Sequence, residues 1–230
     1  MPAIANPNLH PWNLNPDDAV TLQIALASRL RTQAGPALAD IRTVAGVDVS
    51  VRDEVSRAAI VVLRFPALTI LEVSQAQAPT PFPYIPGLLS FREGQVILAA
   101  YERLTVTPDI LIFDGQGQAH PRRLGIAAHI GLWLERPTVG CAKSRLTGFH
   151  REPGQKRGDF VPLLNTQREV IGAVLRTRTR VKPVYVSPGH LCDLHSAVQI
   201  VLACTTRYRL PEPIRAAHAA AGLDQQTRHK

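Results

Sequence analysis

Two short apolar segments of the sequence each carry an aspartate near their end. Asp48 lies in Thr-Val-Ala-Gly-Val-Asp-Val-Ser (43–50), and Asp114 closes Asp-Ile-Leu-Ile-Phe-Asp (109–114). A buried strand normally excludes a carboxylate, because burying an unpaired charge is costly. Two neighbouring strands that end in this way would direct both carboxylates at one divalent metal ion. Mg²⁺ suits such a pair, since it completes its shell with water and phosphate oxygens. For either aspartate alone, a turn or cap role is the plainer alternative.

A third carboxylate, Glu93, has two interpretations. Ser90-Phe-Arg-Glu93 is a capping-box pattern, in which the glutamate bonds back to the backbone of Ser90. On the first turn of a helix beside a proline-rich loop, the same side chain would instead face the metal. The spacing alone leaves both interpretations open.

His120 lies in the glycine-containing loop that leaves the strand ending at Asp114. A histidine beside carboxylates can bond a phosphate, orient a water or exchange protons near neutral pH. Arg122 and Arg123 follow it, and their guanidinium groups suit phosphate oxygens. The alternative is an exposed loop histidine without a catalytic role.

Lys143 and His190 stand at the ends of two further predicted strands. Lys143 closes 138–143, where a cation opposite acidic strand ends would stabilise charge that develops on a phosphate. His190 lies in Ser187-Pro-Gly-His190, at a strand-to-helix turn. Each residue alone is explained by a structural role, but together with the acids they indicate a site for catalysis.

A rigid loop precedes Glu93. Residues 78–89 contain four prolines and can form neither a helix nor a central strand. The loop exposes apolar groups that are suited to part stacked bases. Its candidate DNA-binding residues are Pro83, Tyr84, Ile85, Pro86 and Gly87, with Arg122. The alternative is a loop that packs on its own domain.

The periodicity predicts the elements that position these residues. A helix begins at the Asn15 cap and runs to about Gln33. Three strands in an antiparallel meander follow, and helices and strands alternate afterwards. The predicted strands are near 43–52, 58–66, 69–77, 109–114, 138–144 and 183–187, and residues 158–178 are predicted to form a basic β-excursion. Three later helices are predicted: one that begins at Ser90, one over 125–135 and one over about 192–206. The pattern predicts an α/β fold, a mixed sheet flanked by helices, in a single domain of residues 1–230 with a frayed tail from about 208.

The composition and charge of the chain indicate what kind of molecule it binds. The chain has 230 residues, 45% hydrophobic residues and a net charge of +8, and residues 143–182 hold ten Lys/Arg against three acids. Such a concentration of arginine favours a polyanion such as a nucleic acid. We expect a cytoplasmic protein that does not bind membranes, since no apolar run reaches about 18 residues and the N-terminus has no secretory signal. Three cysteines without CxxC spacing are expected in the core.

Five separated motifs together resemble the endonuclease V family, in family order over residues from about 12 to 206. They are Gly46-Val-Asp48-Val-Ser50, Pro83-Tyr84-Ile-Pro86-Gly-Leu-Leu-Ser-Phe-Arg-Glu93, Asp114-Gly-Gln-Gly-Gln-Ala-His120-Pro-Arg, Gly140-Cys-Ala-Lys143-Ser and Ser187-Pro-Gly-His190. The resemblance implies an RNase H-like fold and a carboxylate set of Asp48, Glu93 and Asp114 around Mg²⁺, for which Mn²⁺ can substitute. It implies that Tyr84 belongs to a wedge that separates strands at a lesion. His120, Lys143 and His190 fall on family positions that are linked to substrate phosphate and catalysis.

The resemblance also implies an activity. We expect a monomeric DNA repair endonuclease that recognises deoxyinosine and hydrolyses the second phosphodiester bond 3′ to it, leaving the base in place. Three alternatives stay open at this point: an endoribonuclease acting on inosine in RNA, a nucleic-acid binding module without catalysis, and another RNase H-like nuclease such as a junction resolvase. The proline-rich loop argues against the resolvase.

Overall fold

The computed structural model describes residues 2–222 and contains five helices and eight strands in that range. The helices are α1 (Pro16–Ala27), α2 (Leu89–Glu102), α3 (Ile126–Leu134), α4 (Leu194–Ala203) and α5 (Glu212–Gly222). The strands are β1 (Thr43–Arg52), β2 (Val55–Arg64), β3 (Thr69–Pro79), β4 (Ile110–Phe113), β5 (Thr138–Ala142), β6 (Phe160–Leu164), β7 (Val170–Leu175) and β8 (Val184–Pro188).

All eight of these strands form one mixed sheet in the order β3-β2-β1-β4-β5-β8-β7-β6. The first three form the expected antiparallel meander, and β1, β4 and β5 run parallel to one another. The last three alternate in direction, so β8 is antiparallel to β5. Since β1, β4 and β5 are parallel neighbours, their carboxyl ends meet at one end of the sheet, which is where open α/β sheets usually place their sites.

Side chains of the central strands alternate between two cores. Val44 and Ile112 pack with α4 and α5 on one face, and Ala45 and Phe113 pack with α2 and α3 on the other. Because alternate residues of a strand point to opposite faces, each strand is buried on both sides. The α/β class with a mixed sheet flanked by helices is thus confirmed, and the three cysteines are buried in it as predicted.

The first helix is shorter than predicted. Asn15 caps it, since its side chain accepts a hydrogen bond from the Asp18 backbone N–H at 2.9 Å. The helix ends at Ala27 instead of about Gln33, because the following segment pairs elsewhere. The Arg31 carbonyl accepts a hydrogen bond from the Leu191 N–H at 2.7 Å. A tertiary contact therefore overrides the local helical pattern.

The expectation of a frayed tail from about residue 208 is wrong for residues 212–222. This segment is α5, and its Ile214 and Ala217 side chains are fully buried against the sheet. Residues 223–230 of the predicted tail lie outside the described residues. Within residues 2–222, no helix is both long enough and apolar enough to span a membrane.

Candidate active site

The glycine of Gly46-Val-Asp48 lets α5 approach β1. A Cβ at Gly46 would lie 1.9 Å from the carbonyl oxygen of Pro213, at the start of α5. Strand alternation puts Gly46, Asp48 and Ser50 on the same face of β1. The Ser50 hydroxyl donates to the Ala221 carbonyl at 2.7 Å, near the other end of the helix. The spacing of this motif therefore fixes α5 along the strand that carries Asp48.

This packing brings His218 of α5 to Asp48. The His218 Nδ1–H donates to Asp48 Oδ2 at 2.7 Å, and the Val49 N–H donates to Asp48 Oδ1 at 2.9 Å. The Asp48 side chain is 13% exposed and that of His218 is 67% exposed, so the pair opens toward solvent.

Asp114 completes a cluster at the point where the pairing of β1 with β4 ends, since Asp48 and Asp114 directly follow the last pair, Val47 and Phe113. Ligand atoms of Asp48, Asp114 and His218 all lie within 4.8 Å of one another. The Lys143 Nζ donates to Asp114 Oδ2 at 2.5 Å from the end of β5. We call these four residues, Asp48, Asp114, Lys143 and His218, the acidic end of the sheet. Two carboxylates at this separation fit a hard divalent cation with oxygen ligands.

Repulsion between carboxylates at the acidic end supports the same conclusion. Burial and then the Asp114 charge raise the pKa of Asp48, and the hydrogen bond from His218 opposes this. Burial and then the Asp48 charge raise the pKa of Glu93 to about 8, with Asp114 adding to the shift. The charges of both aspartates thus reach Glu93, although Glu93 is not among the three residues whose ligand atoms lie within 4.8 Å of one another. A bound cation would relieve the repulsion among the three carboxylates.

The capping-box interpretation of Ser90 and Glu93 is wrong. Helix α2 begins one residue earlier, at Leu89, and its cap position is Leu88, which makes no side-chain cap hydrogen bond. The buried Ser90 hydroxyl lies 2.8 Å from His129 Nδ1 on α3, so it bonds across to another helix. Glu93 is therefore left without a capping partner at Ser90.

The carbonyl oxygen of Gly87 fixes the proline-rich loop. It accepts hydrogen bonds from Gln23 Nε2 at 3.0 Å, from His120 Nε2 at 2.9 Å and from Arg122 Nη2 at 2.9 Å. Gly87 has φ of +83°, a backbone conformation that favours glycine. Three donors on one carbonyl hold the end of the loop rigidly beside α2. We call Gly87, Gln23, His120 and Arg122 the Gly87 clamp.

The clamp changes what His120 can do. Burial and then the neighbouring Arg122 charge lower the pKa of His120 to about 4. Its Nε2–H donates to Gly87, and its Nδ1 accepts from the Arg122 N–H at 3.2 Å. With both ring nitrogens engaged and the ring neutral, the expected proton exchange near neutral pH does not fit this environment. The Arg122 guanidinium likewise binds Gly87 and Gln23, which is a positioning role.

A cavity of about 300 Å³ joins the loop to the acidic end. The loop contributes Tyr84, Ile85, Pro86 and Gly87 to its lining, and His120 also lines it. Asp114 and Lys143 of the acidic end line the same cavity. Tyr84 is 71% exposed, whereas Phe82 is buried between α1 and α2 and anchors the loop. Pro83 is exposed next to Tyr84 and outside the cavity wall.

His190 does not join these residues. Because β8 is antiparallel to β5, its carboxyl end lies beside the start of β5, while Lys143 follows the end of β5. The His190 N–H donates to Thr138 Oγ1 at 2.8 Å, and its Nε2 lies 3.3 Å from Glu135 Oε1. Burial and then the Arg31 charge lower the pKa of His190 to about 4. The expectation that His190 joins the acids was wrong, because β8 runs antiparallel to β5 and its carboxyl end therefore lies at the opposite end of the sheet.

The basic stretch 143–182 does reach the acidic end. In the sheet, Lys143 follows Ala142, which pairs with Tyr185, and Leu175 pairs with Val184. The loops 151–159 and 176–183 therefore leave the sheet at the same end as the carboxylates. Buried Arg176 holds both loops, donating to the Gly154 carbonyl at 2.9 Å and to the Val181 carbonyl at 2.6 Å. Exposed cations of these loops include Arg151, Lys156, Arg157, Arg178, Arg180 and Lys182.

His218 is the residue that the sequence analysis missed. It lies in the alanine-rich segment that was expected to fray. The apolar residues Ile214, Ala217 and Ala221 recur at helical spacing, and this pattern predicts an amphipathic helix that packs on the sheet. A histidine next to the buried stripe of such a helix was the available signal.

Comparisons with known proteins agree with the five motifs. A family model described as Endonuclease V matches residues 24–219. Endonuclease V of Methanothrix thermoacetophila is 53% identical over 210 residues, which cover 91% of this chain and 92% of that relative. The crystal structure of Endonuclease V from Streptomyces avermitilis matches with a TM-score of 0.87 at 40% identity, over 91% of this chain and 92% of that one. A structure of Ciona intestinalis Endonuclease V in complex with DNA containing an inosine followed by a ribo-adenosine matches with a TM-score of 0.78 at 28% identity, over 90% of this chain and 97% of that one.

Proposed function

We propose that this chain, which belongs to the endonuclease V family, recognises deoxyinosine in DNA and hydrolyses the second phosphodiester bond 3′ to it in a Mg²⁺-dependent reaction. The family establishes a nuclease that acts on DNA. Beyond this, we propose which lesion is recognised, which bond is cut, which metal is bound and which residues take part. One observation carries it: the exposed loop of Tyr84 and the charged residues Asp114 and Lys143 line one and the same cavity.

Asp48, Asp114 and Glu93 would hold the metal. The first two already lie together, and Glu93 is close enough for both aspartates to raise its pKa. Mg²⁺ bound to these oxygens supplies a Lewis acid that activates the attacking water and stabilises charge on the phosphate. Mn²⁺ is expected to substitute, because it accepts the same hard oxygen ligands.

His218 and Lys143 would act beside that centre. His218 orients Asp48 through its Nδ1–H, and Mg²⁺ prefers oxygen over imidazole, so we assign His218 a positioning role for this carboxylate. Lys143 contacts Asp114 and remains 43% exposed on the wall of the cavity, where it faces an incoming phosphate. Its charge would stabilise the phosphate as water adds to phosphorus and a P–O bond breaks.

The loop of Tyr84 would bring the lesion to its pocket. Tyr84 is exposed and stands on a loop that Phe82 and the Gly87 clamp hold at both ends. A rigid, exposed aromatic side chain is suited to replace a base in the stack, so that the base enters a pocket outside the duplex. The pocket beside Ile85, Pro86 and Gly87 would take the base, while a phosphate farther along the strand lies at the acidic end.

A cleavage assay tests the proposal. The protein is incubated with Mg²⁺ and end-labelled duplexes that differ only in one deoxyinosine, with matched reactions in EDTA. We expect one nick in the inosine strand at the second phosphodiester bond on its 3′ side, and none in EDTA or in the unmodified duplex. Equal cutting of both duplexes would refute the lesion specificity, and a nick elsewhere would refute the assigned position.

Two further substrates address the alternative in RNA. The Ciona relative was bound to DNA in which a ribo-adenosine follows the inosine. The assay therefore includes that hybrid and a single-stranded inosine RNA. If only the two ribonucleotide substrates are cut, the protein is an inosine-specific endoribonuclease and the DNA lesion assignment fails.

A further inference from the structure

A second cavity, of about 530 Å³, lies beside β6 and shares no lining residue with the catalytic cavity. Its wall is apolar and basic, and none of its lining residues in the described chain is acidic: it includes Phe149, His150, Arg151, Val161, Pro162 and Arg168. The acids that neighbour it in sequence are engaged elsewhere. Glu152 pairs with Arg176 at 2.7 Å, and Glu169 accepts from Asn165 Nδ2 at 2.8 Å. The charge of the cavity therefore suits an anionic ligand with an apolar part.

Phe149 is held in this cavity by its backbone. Its N–H donates to the Leu164 carbonyl at 2.8 Å, and its carbonyl accepts from the Leu164 N–H at 2.9 Å. Gly148 permits the approach, because it has φ of +82° and a Cβ there would lie 2.5 Å from the Leu164 oxygen. Phe149 nevertheless remains 45% exposed. An exposed aromatic side chain on a fixed backbone is the kind of platform on which nucleobases stack.

The adjacent imidazole is also fixed. The His150 Nδ1–H donates to the Arg151 carbonyl at 2.9 Å, and its Nε2 lies 3.3 Å from the Tyr185 hydroxyl. The His150 and Tyr185 rings meet edge to face, with centroids 5.6 Å apart. The lining of the cavity thus contains an oriented imidazole together with the side chains of Phe149, Arg151 and Arg168.

One continuous segment, 143–151, connects the two cavities. Lys143, Arg145 and Leu146 line the catalytic cavity, and Phe149 and Arg151 line the second one. A strand whose phosphate lies at Lys143 can therefore follow this segment past Arg145 to the next cation, Arg151. Since the segment is short, the two cavities fall within reach of the same few nucleotides.

We infer that the second cavity binds an unpaired nucleotide of the strand that is cut, with its base on Phe149 and its phosphates at Arg151 and Arg168. This assignment rests on the proposed nuclease function. An unpaired base fits better than a paired one, because stacking on Phe149 requires an uncovered face of the base, and a duplex covers both faces except at its ends.

Binding measurements with matched variants test the inference. Fluorescence anisotropy in EDTA gives the Kd of single-stranded inosine oligonucleotides of decreasing length for the native chain, Phe149→Ala and Phe160→Ala. Phe160 is the control, because it is 51% exposed near the same strand but does not line the cavity. Phe149→Ala should weaken binding about tenfold, as expected for one lost base stack. Phe160→Ala should leave Kd within about twofold.

Length and salt dependence sharpen the test. The effect of Phe149→Ala should vanish once the oligonucleotide is too short to span both cavities. Arg168→Gln should lower the slope of log K against log salt by about one phosphate contact. Circular dichroism is expected to be unchanged in both variants, since neither side chain supports the backbone pairing with Leu164.

Each remaining outcome overturns the inference. Equal effects of the two phenylalanine variants, an effect that persists in the shortest oligonucleotide, or equal weakening for a fully paired duplex would each exclude a site for an unpaired base. Cleavage of the inosine duplex is measured in parallel with the native chain. If the native chain cuts specifically at inosine but Phe149→Ala binds single strands normally, only the inference about the second cavity fails. If the native chain does not cut specifically at inosine, the proposed function itself fails.

Discussion

The two ends of the central sheet carry the same kinds of side chain but differ in what surrounds them. At the acidic end, His218 lies 2.7 Å from Asp48, with Lys143 close by. At the opposite end, defined by Arg31, Glu135 and His190, the histidine lies 3.3 Å from its glutamate. An acid, a histidine and a cation therefore occur at both ends.

The difference lies in how far each group is already satisfied. His190 is 1% exposed, its Nδ1 accepts from the Arg31 N–H, and Glu135 pairs with the Arg31 guanidinium. At the acidic end, a second carboxylate repels the first, and the His218 side chain is 67% exposed. Residue type and position at a strand end therefore do not separate a structural histidine–acid pair from a candidate reactive site. A second carboxylate that shares the site with the first does.

The largest expected effect tests the acidic end directly. Asp114→Asn or Asp48→Asn should reduce the rate of inosine-dependent cleavage about a thousandfold or more, because each removes a charge that would hold the metal. DNA binding in EDTA should change little. The matched control is Glu135→Gln at the opposite end, which should keep the cleavage rate within about threefold while lowering stability. Near-native rates for either aspartate variant would refute the metal assignment.

The next effect concerns the packing that assembles the acidic end. Gly46→Ala places a methyl group where the Pro213 carbonyl lies, so α5 must move away from β1. We expect a loss of about 1–3 kcal/mol of unfolding free energy in urea and slower cleavage, since His218 leaves Asp48. The control is Gly222→Ala on the same helix, where a Cβ would meet open space. If Gly46→Ala were as stable and active as the native chain, α5 would not depend on this contact.

The pH dependence of stability tests the role of His190 at the opposite end of the sheet. The pKa of His190 is lowered to about 4 in the folded protein, against an ordinary value of 6.5. The unfolded chain therefore binds more protons between these values, and stability should fall as pH drops from about 6.5 to 4. His190→Gln should remove about 2 kcal/mol of this dependence. Urea unfolding at several pH values measures it, and an unchanged slope in the variant would show that the ring is not a buried neutral group.

Most of the framework was predictable from the sequence, because each local signal agreed with the tertiary structure. The antiparallel meander and the apolar strands that lead to Asp48 and Asp114 follow from alternation and from the placement of charge. The carboxylates, Lys143 and the loop of Tyr84 stood out as candidates because unusual residues interrupt regular patterns there. Each of these features is visible within a single segment of the sequence.

The rest depended on contacts between segments distant in sequence. His190 was predicted at the wrong end of the sheet, because the residues of β8 do not reveal whether the strand runs parallel or antiparallel to β5. His218 was missed because α5 is stabilised by a glycine that lies more than 160 residues earlier in the chain. The Ser90 cap was wrong because the hydroxyl finds His129 on another helix. In each case, a long-range contact decided between two locally acceptable interpretations.

We expect the acidic end to perform chemistry and the opposite end only to stabilise the fold. A side-by-side measurement on His218→Gln and His190→Gln distinguishes the two, with the cleavage rate at saturating Mg²⁺ and the unfolding free energy determined for each variant. We predict that His218→Gln loses about 10–100-fold in rate with a stability change under about 0.5 kcal/mol. His190→Gln should lose about 1–3 kcal/mol of stability with a near-native rate. The reverse pattern, or a loss of rate in His190→Gln alone, would contradict the account.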